Sequence, residues 1–164
     1  MEFKDMMKTE ILKLYSIETQ LVQSLNMLSE LAQNSELKQG LQMHVQQTQT
    51  QAQRLEQICS KMGWQPGSET CKAMQAMQQE AQESLSGAQP GPVTDAMIIA
   101  AAQKAEHMEI ACYGTASTLA KQMGDDEAAG LLQQSLQEEK MTDEKLTQIA
   151  ESGVNQKAVA SAGV

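Results

Sequence analysis

Apolar residues recur along this chain at alternating spacings of three and four, in four long runs separated by Gly, Pro or helix-capping residues. The first stripe is Met7, Ile11, Leu14, Glu18, Leu21, Leu25, Leu28 and Ala32. Such a narrow stripe belongs to a helix packed in a bundle, and it predicts a helix from about Phe3 to Ala32. Asn34 and Ser35 are capping residues and Glu36 suits a first turn, so a second helix follows to about Met62, stopped by Gly63. Its stripe is Leu37, Leu41, His44, Thr48, Gln51, Leu55, Ile58 and Met62. Trp64-Gln65-Pro66-Gly67 reads as a turn, after which Ser68 caps a shorter helix to about Leu85. Gly87-Ala88-Gln89-Pro90-Gly91-Pro92 is the clearest break, and Pro92 suits the first position of a third long helix, running to about Met123 and stopped by Gly124. Gly114, inside that helix, suggests the close approach of a neighbouring helix or substrate, with plain tolerance of a glycine as the alternative. Asp125 and Asp126 cap a fourth long helix with the stripe Ala128, Leu132, Ser135, Glu139, Thr142, Leu146 and Ile149. From Ser152 the residues are small and polar and read as a frayed end. The expected organisation is an all-α, antiparallel four-helix bundle over residues 1–152, with an additional short helix between the second and third long ones and a flexible tail over 153–164.

Each stripe turns polar near its middle. The first carries Glu18, with Tyr15 one turn before it. The second carries His44, Thr48 and Gln51, with Gln47 on the flank. The third, Ile98 or Ile99, Ala102, Glu106, Glu109, Tyr113, Ala116 and Leu119, carries two glutamates, and the fourth carries Glu139 with Asp143 on its flank. A lone acid on a helix is usually solvated, and a lone His such as His44 is usually a hydrogen-bonded core residue. Four stripes turning polar at one depth are a stronger signal. Several carboxylates cannot all stay ionised in an apolar core, so either they are protonated and fix helix register, or a cation neutralises them. Divalent iron or manganese held by Glu and His across a four-helix bundle is one solution, and facing carboxylates can bridge two ions about 3.5–4 Å apart. The candidate metal ligands are therefore Glu18, Glu106, Glu109, Glu139 and Asp143, with one or two ions per chain.

Composition narrows the remaining choices. A net charge of −9 provides no basic stripe for nucleic acid or an anionic membrane. Aromatic content is only 2%, whereas Leu, Met, Ala and Gln are common, which favours helix over strand. Cys59, Cys71 and Cys112 form no CxxC pair, so they read as buried thiols in a reducing compartment, although a Cys59–Cys71 pair stays open. Met74 and Met77 have the spacing of a thioether pair for Cu(I), but twelve methionines spread along the chain favour core filling. The N-terminus lacks a signal-peptide apolar segment and no apolar run is long enough to span a bilayer, so the expected location is the cytoplasm. No Ser-His-Asp or Cys-His arrangement, phosphate loop or zinc spacing is present.

The segments Tyr15-Ser-Ile-Glu18-Thr-Gln-Leu21, Ile99-Ala-Ala-Ala-Gln-Lys-Ala-Glu106-His107-Met-Glu109-Ile-Ala-Cys-Tyr113-Gly114-Thr and Leu136-Gln-Glu138-Glu139-Lys-Met-Thr-Asp143-Glu-Lys-Leu146 resemble the YciE/YciF-type stress proteins, a bacterial branch of the ferritin-like superfamily. The resemblance extends from the first helix to about Ile149. It implies a ferritin-like bundle, a homodimer, and a rubrerythrin-like di-iron site as the ancestral function. It also marks a departure: where that family carries Glu, sometimes with His, on the second helix, this chain has Gln46, Gln47, Gln49 and Gln53. A Gln carbonyl is a weaker ligand than a carboxylate, which puts a balanced two-ion site in question, with His44 a turn away as a compensating ligand.

Two functions compete at this point. One is a stress-associated metal protein, redox-active toward O2 or peroxide, with Tyr15 and Tyr113 hydrogen-bonding the ligands. The other is a metal-free or weakly metallated dimer with a structural or interaction role. Iron storage in a hollow cage is a weaker third reading that requires a large symmetric assembly.

Overall fold

The computed structural model describes residues 2–161, and among them there are helices and no strands. Four long helices form the bundle: α1 (Phe3–Leu31), α2 (Ser35–Met62), α4 (Pro92–Gln122) and α5 (Asp126–Ile149). A shorter helix α3 (Lys72–Leu85) lies between α2 and α4, and a π turn over Ala150–Val154 leads into α6 (Asn155–Ser161). The connections α1–α2 and α4–α5 span only residues 32–34 and 123–125, so each pair is an antiparallel hairpin. Asn34 caps α2 by accepting a hydrogen bond from the Leu37 amide, and Asp125 caps α5 by accepting one from the Ala128 amide. Gly63 and Gly124 end the preceding helices at φ of 68° and 73°, where a Cβ would be strained.

The two hairpins dock with α1 beside α4 and α2 beside α5. Asp95, in the first turn of α4, accepts hydrogen bonds from the backbone amides of Gln33 (2.8 Å) and Asn34 (2.9 Å). Glu36 pairs with Lys145 at one end of the α2/α5 seam, and Lys61 pairs with Asp125 (2.9 Å) and Glu127 (2.9 Å) at the other. These cross-links make α1 antiparallel to α4, and α2 antiparallel to α5. The 28-residue α2 is about 42 Å long, so the chain must return that distance before starting α4. Residues 63–91 make the return and carry α3, which lays Met74 and Leu85 against the core.

The four stripes read from the sequence are the buried ones. From Met7 to Ala32 every position of the first stripe is buried, and the second, third and fourth converge on the same core. Three local expectations change. The crossover helix starts at Lys72, after Cys71, rather than at Ser68, because the Ser68 hydroxyl donates to the Gln65 carbonyl within the turn (3.1 Å). Cys71 is tied instead to α1, its amide donating to Ser16 Oγ (2.9 Å). A Cβ on Gly114 would meet nothing within 4 Å, so no neighbour approaches there, whereas one on Gly40 of α2 would lie 3.9 Å from Ile149 Cδ1. The chain does not fray at Ser152: it turns at Gly153, buries Val154 and continues as α6 to Ser161, packed on α4. The last three residues of the expected tail lie outside the described residues. All three cysteines are free, with Cys59 and Cys71 buried.

Candidate metal centre

Helical periodicity carries Glu18, His44, Thr48, Gln51, Glu106, Glu109, Tyr113 and Glu139 to one depth of the core, each no more than 2% exposed. Within this layer, one ligand atom from each of His44, Glu106, Glu109 and Glu139 lies within 4.8 Å of the others. Opposite ligands of a bound first-row ion are about 4 Å apart, so small side-chain rotations would close this group on an ion. His44 Nε2 lies 2.9 Å from Glu106 Oε1 and 3.8 Å from Glu139 Oε2. Glu18 sits beside the group and accepts a hydrogen bond from the Tyr113 hydroxyl. On the opposite flank the Gln51 amide donates to Glu139 and also to Glu138 (3.0 Å). Arg54 then grips Glu138 in a bidentate pair (2.6 and 2.8 Å) and donates to Ser135 Oγ (3.1 Å).

Much of the layer's polar capacity is unspent. Glu18 Oε2, both Glu109 oxygens, Glu106 Oε2, Glu139 Oε2 and His44 Nδ1 are buried without a hydrogen-bond partner, and His44 Nε2 has only its 2.9 Å contact with Glu106 Oε1. Buried polar atoms are nearly always paired, so this concentration points to a missing neutralising group. Carboxylate oxygen and imidazole nitrogen suit iron, manganese or zinc. The residues present therefore fit a metal ion. Without one, protons take its place. Burial, reinforced by Glu139, holds the Glu18 carboxyl well above the ordinary carboxylate range. Burial and the charges of Glu139, Glu18 and Glu106 do the same at Glu109. Burial lifts Glu106 to about 7, and burial with the adjoining Glu106 carboxyl lifts Glu139 well above the ordinary range. Burial and the neighbouring Glu18 also raise the Tyr113 phenol, which stays a hydrogen-bond donor.

The structure brings together Glu18, Glu106, Glu109, Glu139 and Tyr113 from the sequence-derived set and leaves others outside. Asp143 lies on the outer flank of α5, accepting from Gln103 (3.0 Å) and 3.3 Å from the exposed His107. Tyr15 is turned toward α2, where its hydroxyl donates to Glu56 (2.9 Å), so it does not border the layer. Gln46, Gln49 and Gln53 are exposed and Gln47 is only half-buried. The face of α2 that enters the core is His44-Thr48-Gln51, a different stripe of the same helix. His44 is consequently a member of the central group rather than a remote compensating residue, and its place on the apolar stripe was the signal for that. Gln51 is the neutral residue that matters on α2. The link through Glu138 to Arg54 had no signal in the spacing, because both residues lie off the stripes.

A family model described as "Domain of unknown function (DUF892)" matches residues 2–159. The chain belongs to the DUF892 family. This DUF892 chain is 43% identical over 145 residues to protein YciF of Escherichia coli (strain K12), spanning 88% of this chain and 87% of that protein. The crystal structure of the E. coli stress protein YciF matches with a TM-score of 0.89 at 39% identity, covering 95% of this chain and 99% of that one. YcfI of Rhodopseudomonas palustris matches with a TM-score of 0.85 at 35% identity, covering 90% and 94%. A Xanthomonas campestris protein at 18% identity, with a TM-score of 0.77 over 99% of this chain and all of that one, shares the fold.

Proposed function

We propose that this DUF892 protein is a stress-associated, ferritin-like metal protein whose His44, Glu106, Glu109 and Glu139 hold an iron or manganese ion, with Glu18 as an adjoining ligand. The observation that carries this reading is the set of orphaned, fully buried carboxylate and imidazole atoms at one point of the core. A bound iron or manganese would supply redox chemistry toward O2 or peroxide. The chain's own residues divide the remaining work. Tyr113 holds a proton against Glu18, and Gln51 positions Glu139 while Arg54 fixes the neighbouring Glu138. The surrounding Leu and Ile residues exclude bulk water. The compact four-residue group supports one ion more directly than two, because α2 contributes an imidazole and an amide but no carboxylate.

Elemental analysis after loading with Fe(II) or Mn(II) and desalting tests the site, with Glu109→Ala alongside. The expected result is about one ion per chain in the unaltered protein and a large loss in the variant. Two ions would mean that Glu18 and Gln51 complete a second position. Equal, negligible content in both proteins would overturn metal binding. It would leave the second reading, a protonated polar layer in a structural helical protein, which the Gln51–Glu139 hydrogen bond favours. Turnover of Fe(II) with peroxide no faster than in Glu109→Ala would remove the redox role while leaving the site.

A further inference from the structure

A cleft of about 420 Å³ opens between α2 and α5 and reaches the buried layer from outside. Its walls are Leu41, Leu146 and Ile149, its mouth is framed by Met43 and Met141, and His44 and Glu106 form its floor. Among the described residues Met43 and Met141 are the two most exposed large apolar ones, at 61% and 68%. His44 Nε2 faces Glu106 Oε1 at 2.9 Å and Glu106 Oε2 has no hydrogen-bond partner, although the two residues are 2% and 1% exposed. The charged residues at the rim, Glu144 and Lys145, have opposite signs, and Lys145 is already paired with Glu36. Gly40 keeps the cleft open: it sits in the second turn of α2, where Gly is a poor helix former, and a side chain there would grow toward Ile149.

We propose that this cleft binds a neutral, mainly apolar organic molecule whose single hydrogen-bonding end faces His44 and Glu106. Its volume and its apolar walls with a few convergent polar atoms are those of a small-molecule site, and it is far larger than dioxygen or peroxide requires. Lys145 is spent on Glu36 and the rim charge left without a partner is the Glu144 carboxylate, which selects against anions, while the apolar walls disfavour a buried cation. The flexible thioethers of Met43 and Met141 suit a mouth that adapts to its guest. The inference goes beyond the metal centre, with which the cleft shares His44 and Glu106, while the apolar walls lie outside the four-residue group.

The test is a titration of the purified protein, carrying 13C-methyl methionine, with 4-butylphenol. The expected result is saturable movement of the Met43 and Met141 methyl signals while Met6, at the far end of α1, stays still. Gly40→Leu, which fills the cleft with a good helix former, should weaken binding at least tenfold. Gly40→Ala, which only touches Ile149, should retain it and so separates filling from helix stabilisation. Absence of saturable shifts up to the solubility limit, or equal binding by Gly40→Leu, would overturn the proposal. Shifts that follow protein concentration instead of probe would assign the cleft to a second copy of the chain and overturn it as well.

Discussion

Glu109 is fully buried and neither of its oxygens has a hydrogen-bond partner. In the metal-free protein it must hold a proton that the unfolded chain releases near 4.5. Glu106 behaves alike, with its folded value at about 7 against 4.5. The native state therefore binds more protons than the unfolded state between those values. Stability is full below about pH 4.5 and is lost as pH rises through about 7. Thermal unfolding of the metal-free protein at pH 5, 6, 7 and 8 should show Tm falling at each step. Glu109→Gln keeps the shape without the titration. It should flatten this slope and stabilise the metal-free protein at pH 8 by about 1–3 kcal/mol, measured by urea unfolding. A Tm that rises with pH would contradict the protonated layer. The residue scale is also where sequence reading was least complete. Glu18, Glu106, Glu109 and Glu139 were legible because each breaks an apolar stripe. Tyr15 and Asp143 were misplaced because each stands one turn from a core glutamate: that keeps them on the same side of the helix but not on the same line, and Glu56, Gln103 and His107 were waiting there.

Among the elements, the hairpins and their caps follow directly from local sequence, since Asn34, Asp125, Gly63 and Gly124 sit where a helix start or stop needs them. The elements that escaped are those set by distant partners. α3 begins where Ser16 and Gln20 of α1 hold the Cys71 backbone, and α6 forms because the π turn at Gly153 brings the chain back onto α4. Asp95 is the strongest case of a distant partner at an element's end, because its carboxylate satisfies two amides in the connection from α1 to α2. Asp95→Ala leaves both amides, which now donate to a charged carboxylate, to find other partners. Its expected cost is about 1–3 kcal/mol in chemical denaturation, with α-helical circular dichroism of the native state unchanged. A cost within error of zero would mean that water replaces the carboxylate at no expense.

For the whole molecule, no described helix is long and apolar enough to cross a membrane. The polar layer is shared between its halves: Glu18, His44 and Gln51 come from the α1–α2 hairpin, and Glu106, Glu109, Tyr113 and Glu139 from the α4–α5 hairpin. Each hairpin closes over a connection of three residues, so it forms from local contacts on a fast timescale. Docking the two across the long return segment is the slow, nonlocal event, and it forces ionised carboxylates from both sides into one dry space. The barrier to assembly is therefore electrostatic as well as topological. Stopped-flow refolding of the metal-free chain should slow several-fold from pH 5 to pH 8. A refolding rate independent of pH, with unfolding alone accelerating, would place closure of the layer after the rate-limiting encounter. A bundle joined in this way meets its kinetic checkpoint at the same acids that its mature core must keep neutral.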